Sequence, residues 1–269
     1  MTAISVDTTL MAYVPKIMRP NATSLLDICF GMGTTFRSSL LLGLHTDAVD
    51  LSPSIPWQMP VFYSDAQQFL DSPNARIITA DGRNYVKLTS RRYDLITVDP
   101  PPPIQTAGAS VLYTQQFYED AHHALQPGGL MFQWLYYGID LQQFREHVRT
   151  FRSVFPHVLI LMSPRHGGVY MMGSDAPITW NQSDVTRLLD SPQAVADMAG
   201  APDAQYLEPG SWTQLLQNMV WLRDSQVDAF TGPGPVITDD HPLTEYYVLH
   251  QLFGGGPNVT EKQLRALAP

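Results

Sequence analysis

Asp50, Asp81 and Asp99 each end a short apolar run, and the glycines of "LLDICFGMGTTFR", Gly31 and Gly33, end another. Carboxylates so placed can accept hydrogen bonds from sugar hydroxyls, hold cations or take up protons. A glycine turn lets backbone come close to a ligand. Asp50 follows Gly31 by 19 residues, the interval at which a second-strand acid of a nucleotide-binding unit reaches a ribose diol. Asp99 opens the run "DPPPP". Pro100 restricts it to extended or polyproline angles, which holds the carboxylate at the strand tip. The following prolines present carbonyls without N–H donors. Such a wall accepts hydrogen bonds from an amine while the carboxylate takes its proton, so Asp99 is the candidate base.

Each acid also has a local reading. Asp50 can cap a turn at Ser52-Pro53, Asp81 belongs to an Asp-Gly turn pair, and Asp99 can cap the loop after it. Asp27 lies inside its strand and reads as structural. His122 and His123 have no partner at metal-ligand spacing, so no metal site is expected.

The elements that must position these residues alternate strand and helix. "TSLLDICF" is a strand that runs through the glycine turn into the helix "FRSSLLLGL". "TDAVDLS", "ARIITAD" and "YDLITVD" are further strands, with helix-like "AQQFLDS" before the second of these. "TQQFYEDAHHALQPGG" reads as a helix closed by Pro-Gly-Gly, followed by the strand "LMFQWLYY" and the helix "DLQQFREHVRTFRSVFP". "HVLILMSPRHGGVYMMGS" reads as a hairpin turning at Gly167 and Gly168, with Met131, Met171 and Met172 in the strand core. From 177 to about 230 the pattern is helical, and "TGPGPVITDDHP" is a loop leading to a last helix, "LTEYYVLHQLF". This predicts an α/β fold: a doubly wound, mainly parallel sheet with an antiparallel C-terminal hairpin and C-terminal helices. In such a sheet ligands settle beyond the carboxyl ends of the strands, so the strand-end acids share one crevice.

Composition narrows the guest. The chain has 269 residues, 44% of them hydrophobic, and a formal net charge of -9 spread along its length. That balance works against nucleic-acid and anionic-membrane partners and suits a cationic ligand. The single cysteine, Cys29, cannot form an internal disulfide and reads as a small buried hydrophobe. No stretch approaches the roughly 20 apolar residues of a membrane span and the N-terminus lacks a secretory pattern, so a cytoplasmic protein is expected. A nucleoside bearing a sulfonium satisfies ribose recognition and charge together. A phosphate-bearing dinucleotide fits less well, because Phe36 stands where the third glycine of Gly-x-Gly-x-x-Gly would be. S-adenosylmethionine or its decarboxylated form is therefore the expected substrate. A competing reading compares "DPPP" with the Asp-Pro-Pro-aromatic element of enzymes that methylate flipped-out bases, but the aromatic position holds Pro102.

At this point the chain resembles the spermidine synthase family of polyamine aminopropyltransferases, in particular a divergent bacterial branch often fused to membrane helices. The resemblance runs from Leu25 to Ser174, through "LLDICFGMGTTFR", "AVDLS", "TADGRNY", "YDLITVD", "LYTQQFY", "LQPGGLMFQW" and "GVYMMGS", with "TDDHPLTEYY" similar to that branch's C-terminal signature. It implies a Rossmann-like, class I methyltransferase-type sheet in one nucleoside-binding domain, with a core over 1–176 and a helical extension over 177–269. It implies that Gly31 and Gly33 support the nucleoside, that Asp50 binds the ribose, that Asp81 and Gly82 recognise adenine, and that Asp99 is the proton-accepting acid. Tyr113 and Gln133 follow the family pattern near the pocket. Departures lie on the amine side. Met32 replaces the aspartate that holds the aminopropyl ammonium, Pro102 replaces the second acid of the family's Asp-Ser-Ser-Asp loop, and Ser163 falls where a tyrosine lines the diamine site. The family's N-terminal β-domain is missing, so the abrupt start reads as a domain cut from a longer, membrane-attached chain, with exposed apolar surface that would favour a homodimer. Asp239, Asp240 or Glu245 replace the lost acids if the final segment folds over the pocket; otherwise they cap the last helix.

Four functions follow in order: transfer of the three-carbon chain to an amine with release of methylthioadenosine; intramolecular cyclisation of the sulfonium compound; methyl transfer; and nucleoside sensing without turnover.

Overall fold

The structure, a computed structural model, describes residues 5–101, 103–202 and 212–268. Pro102, the position of the lost loop acid, lies outside them. The sheet is built from β1 (Ser24–Ile28), β2 (His45–Asp50), β3 (Ala75–Thr79), β4 (Tyr93–Val98), β5 (Leu125–Tyr136), β6 (His157–Met162), β7 (Gly168–Ser174) and β8 (Val220–Arg223). Their spatial order is β3-β2-β1-β4-β5-β7-β6-β8. β3 through β5 pair in parallel, and β7, β6 and β8 continue antiparallel. Strand order reverses at β1, which lies between β2 and β4, and this is where an open α/β sheet opens a crevice.

The strands alternate their side chains between two cores. Leu25, Leu95, Leu130, Phe132 and Tyr170 face one layer, whereas Leu26, Ile96, Met131 and Met171 face the other. The first layer is closed by α1 (Val6–Met18) and the helices Gln182–Leu189 and Pro192–Ala199. The second is closed by Gln115–Ala124 and Leu141–Val154, which contribute Phe117, Phe144 and Phe151. Each such fully buried side chain contributes roughly 1.5–3 kcal/mol, and that sum holds the two faces shut. The expected doubly wound sheet with its antiparallel hairpin is what the chain forms.

Three local expectations change. Pro127, Gly128 and Gly129 do not close a helix; they lie in the first part of β5, whose register against β4 shifts between Tyr93 and Leu95. Gly128 takes the left-handed φ of 69° that the irregularity requires. The stretch expected to be wholly helical also contains β8, which pairs with β6 and brings the C-terminal extension into the sheet. Four residues between helices are too few to show alternation. Helices that the sequence pattern did not assign include α1, Gly82–Leu88 and Glu261–Ala266.

The end of the chain is fastened to Leu141–Val154. His147 is fully buried and burial pushes its pKa down to about 4. The neutral ring donates from Nδ1 to the carbonyl of Gln143 at 2.8 Å and faces Thr244 Oγ1 through Nε2 at 3.4 Å. Tyr247 donates to Glu146 at 3.1 Å. No helix among the described residues is long and apolar enough to cross a membrane.

Below the sheet, Asp94 at the start of β4 accepts from the amide of Thr23 at 2.8 Å, both Ser24 donors, and Arg19 at 2.9 Å. Burial alone would raise its pKa, but these donors outweigh burial and hold the carboxyl below the usual range. Its stabilisation is present at neutral pH and is lost as pH falls through the folded-state value. Asp94→Ala is therefore expected to cost about 2 kcal/mol at pH 7. Urea melts of wild type and variant should converge on acidification below about pH 4.

Candidate active site

Along the carboxyl edge of the sheet the strand order sets Asp81, Asp50, the glycine turn and Asp99 in a row. Backbone bonds lock the row: Ala80 N–H to Asp50 O at 3.0 Å, Cys29 N–H to Val49 O at 3.0 Å and Asp99 N–H to Ile28 O at 3.4 Å. The turn contains three left-handed residues, Cys29 (φ 73°), Gly31 (φ 55°) and Gly33 (φ 81°). Gly33 ends the turn and opens α2 (Thr34–Leu41). A Cβ there would lie 2.9 Å from Met59 Sδ and 3.0 Å from the Phe30 ring, so the tight approach needs glycine.

Cys29 differs from expectation. It is past the end of β1, only partly buried and left-handed, because the chain must turn there before the glycines begin. Burial and then the charge of Asp99 push its thiol pKa well up, which keeps it neutral.

Asp50 ends β2 and accepts from the Ser52 amide at 2.9 Å, and Asp81 caps Gly82–Leu88 by accepting from the Asn84 amide at 2.8 Å. The local turn roles are thus real, and both acids still stand on the crevice edge. Gly82 is pressed against the tip of β1: a Cβ would meet Ile28 Cγ2 at 2.5 Å.

Asp99 stands where this row meets a cavity of about 530 Å³ on its β5 side, lined also by Pro103, Ile104, Trp134, Tyr136 and Arg165, and by Asp7 and Met11 of α1. Burial, followed by the neighbouring charge of Asp7, raises the Asp99 pKa to about 7. Asp27 is buried beneath it, with Oδ1 accepting from Thr97 at 3.3 Å and Oδ2 without a partner among the described residues. Burial and then Asp99 push the Asp27 pKa well up, which favours its protonated form.

The remaining candidates divide. Tyr113 and Gln133 are fully buried behind the Asp99 loop; Tyr113 donates to Trp134 O at 3.1 Å and Gln133 to Leu112 O at 2.9 Å, so both brace the wall. Asp239 is paired with Arg83, which also donates to Val111 O at 3.1 Å and Thr114 Oγ1 at 3.0 Å. It lines a separate cavity with Ser110 and Glu245, while Asp240 is exposed. The final segment thus buttresses Gly82–Leu88 and the turn Val111–Tyr113 and is not brought to Asp99. Ser163 is buried and donates to Asp7 Oδ2 at 2.7 Å.

Asp7 is the acid the sequence reading missed. A signal existed: Val6, Leu10, Tyr13, Val14 and Ile17 make a helical stripe after Ser5, whose side chain accepts from the Thr8 amide at 3.2 Å. Among the described residues no group of three or more His, Cys, Asp and Glu side chains is arranged to hold a metal ion.

A parallel sheet with helices on both faces, a glycine turn after its first strand and acids on the next strand tips define a Rossmann-like α/β protein. Residues 49–172 match the spermine/spermidine synthase domain. Polyamine aminopropyltransferase 2 of Pseudomonas aeruginosa is 35% identical over 126 residues, 45% of this chain and 34% of that protein. The polyamine aminopropyltransferase of Sulfolobus acidocaldarius is 34% identical over 140 residues, 48% of this chain and 44% of its own. A crystal structure of spermidine synthase in complex with the transition-state analogue AdoDATO shares the fold with a TM-score of 0.60 at 22% identity, over 71% of each chain. The chain thus spans less than half the length of these curated relatives.

Proposed function

We propose that the protein transfers the three-carbon chain of decarboxylated S-adenosylmethionine to an amine and releases methylthioadenosine, with Asp99 as the base. The observation that carries this reading is the place of Asp99: it joins the row of Gly31, Gly33, Asp50 and Asp81 to a cavity with apolar and aromatic walls. The match of residues 49–172 to the spermine/spermidine synthase domain and the aminopropyltransferase relatives support the reaction class.

In this reading the adenosine lies along the row. Asp50 accepts from the ribose hydroxyls, Asp81 and the backbone at Gly82 meet the adenine, and the glycine turn admits the sugar. The sulfonium then points at Asp99, where the local negative charge favours it. The amine enters from the cavity. An alkylammonium with pKa near 10.4 costs about 4 to 5 kcal/mol to deprotonate at pH 7, and a base raised to about 7 accepts that proton at a smaller cost than an ordinary carboxylate would, whose pKa lies roughly three units lower. The nitrogen lone pair attacks the carbon beside sulfur, the carbon–sulfur bond breaks, and sulfur leaves with the electron pair as neutral methylthioadenosine. Holding nitrogen and carbon in line contributes roughly 7 to 11 kcal/mol more.

Mass spectrometry of the protein with decarboxylated S-adenosylmethionine, with and without 1,4-diaminobutane, tests this. Methylthioadenosine formed only with the diamine supports transfer; formation from the substrate alone indicates cyclisation, S-adenosylhomocysteine from S-adenosylmethionine indicates methyl transfer, and binding without product indicates a sensor. Asp50→Ala is expected to weaken methylthioadenosine binding about 10- to 100-fold in calorimetry, the loss of hydrogen bonds to a charged acceptor.

A further inference from the structure

We infer that Arg83 is a positioning residue for the adenine: it ties the helix start that carries Asp81 and Gly82 to the turn Val111–Tyr113 that follows the Asp99 loop, and Asp239 of the C-terminal segment locks that tie. The inference rests on the proposed place of the adenosine and gives the "TDDHP" segment a part in the site.

Arg83 lies one residue beyond Gly82, and its guanidinium meets three segments at once. It donates to Val111 O at 3.1 Å and to Thr114 Oγ1 at 3.0 Å, and its Nη2 pairs with Asp239. Thr114 in turn accepts from the Phe117 amide at 3.3 Å as the cap of Gln115–Ala124, so the contact reaches a helix packed in the core. The other side of the turn is fixed to β5, where Gln133 donates to Leu112 O at 2.9 Å and Tyr113 donates to Trp134 O at 3.1 Å. Gly82 is pressed against Ile28 at the tip of β1. Arg83 thus joins a helix start seated on β1 to a turn seated on β5, and the strand order puts β4, with Asp99 at its end, between them.

Asp239 is held in place by its own segment. Ile237 is fully buried; its amide donates to Thr150 Oγ1 at 2.9 Å and its carbonyl accepts from the Gln115 amide at 2.8 Å. The Asp239 amide donates to Gln116 Oε1 at 3.0 Å. The planar fork of an arginine serves carbonyl, hydroxyl and carboxylate together, which the single ammonium of a lysine does less well. For the nucleoside the consequence is a matter of gap. Adenine is flat and rigid, and walls that retreat by about 0.5–1 Å forfeit roughly a quarter to a half of the dispersion attraction. Walls held before the nucleoside arrives also spare the cost of ordering them on binding.

Calorimetric titration of methylthioadenosine into the full chain tests this, for wild type, Arg83→Ala, Arg83→Lys, Asp239→Asn and the control Arg152→Ala. Arg152 is matched to Arg83: it pairs with Asp228 and donates to the carbonyls of Phe155 and Pro156, but it does so where β6 begins, on the edge of the sheet away from the crevice. Arg83→Ala should weaken the nucleoside about 3- to 30-fold, the range of couplings carried by residues that do not touch the ligand. Arg83→Lys and Asp239→Asn should give smaller losses in the same sense, and they serve if Arg83→Ala fails to fold. Arg152→Ala should lower the melting temperature, as Arg83→Ala does, yet change the affinity by less than about twofold. In turnover, KM for the sulfonium substrate should rise in the Arg83 variants while kcat stays within about threefold of wild type, because Asp99 and the reacting atoms are untouched. Affinities of the Arg83 and Asp239 variants equal to wild type, or a loss that Arg152→Ala matches, overturn the inference. The outcomes separate it from the proposed reaction: nucleoside binding that is indifferent to Arg83 and Asp239 sinks the inference alone, binding that depends on them without any methylthioadenosine formed in turnover sinks the reaction alone, and a wild type that does not bind methylthioadenosine sinks both.

Discussion

Asp99→Asn is expected to lower kcat about 10²- to 10⁴-fold, the usual worth of a positioned proton acceptor. The amide has nearly the same shape, so methylthioadenosine should still bind. The pH profile gives a second readout. With its pKa raised to about 7, Asp99 is half protonated near neutrality, so wild-type kcat/KM should climb through the neutral range and level off above it. The variant's residual rate should lack that limb. Stability should move the opposite way. A carboxyl whose folded-state pKa lies above its unfolded value binds its proton more tightly in the fold, so it contributes most below the unfolded pKa and loses that contribution as pH rises toward 7. An asparagine never ionises, and Asp99→Asn should therefore melt at a higher temperature than wild type at pH 8. A base that slows catalysis when removed but steadies the fold is one held in place for chemistry.

Gly82→Ala should damage fold and nucleoside binding together. The added methyl would sit 2.5 Å from Ile28 Cγ2, and Ile28 is a buried β-branched residue at the tip of β1 that cannot swing aside. The start of Gly82–Leu88 must move instead, and overpacking of this kind costs about 1–3 kcal/mol. Because Asp81 caps the same helix through Asn84, the shift carries the adenine end of the row with it. Thermal melts should show the loss of stability, and methylthioadenosine affinity should fall by more than the melting change alone explains. Gly108, where a Cβ meets nothing within 4 Å, is the control position: Gly108→Ala should leave both measurements close to wild type.

The nucleoside half of the site was legible because parallel strands buried on both faces read as unbroken apolar runs, and each run here ends in the residue that matters. Asp50, Asp81 and Asp99 could be placed on one edge from their positions alone. The amine half was not. Asp7 is one acid in a helix's first turn, where acids are common for their effect on the helix dipole, and its partners Ser163 and Tyr170 lie some 160 positions away. Nothing local ties them together. The acids of "TDDHP" drew attention by their density, yet Arg83 takes Asp239 to the outside of the turn at Val111–Tyr113. Pro-Gly-Gly at 127–129 carries the signature of a turn, and only the pairing with β4 turns it into the irregular opening of a strand.

The central claim is that an adenosine lies along the tips of β1 to β4 with its sulfur at Asp99. A crystal structure of the protein with methylthioadenosine tests it most directly. The ribose hydroxyls are expected on Asp50, the adenine beside Asp81 and Gly82, and the sulfur between the glycine turn and Asp99, facing the cavity that Asp7 lines. Density for the nucleoside elsewhere on the molecule, or a crevice left empty at saturating concentration, would contradict it.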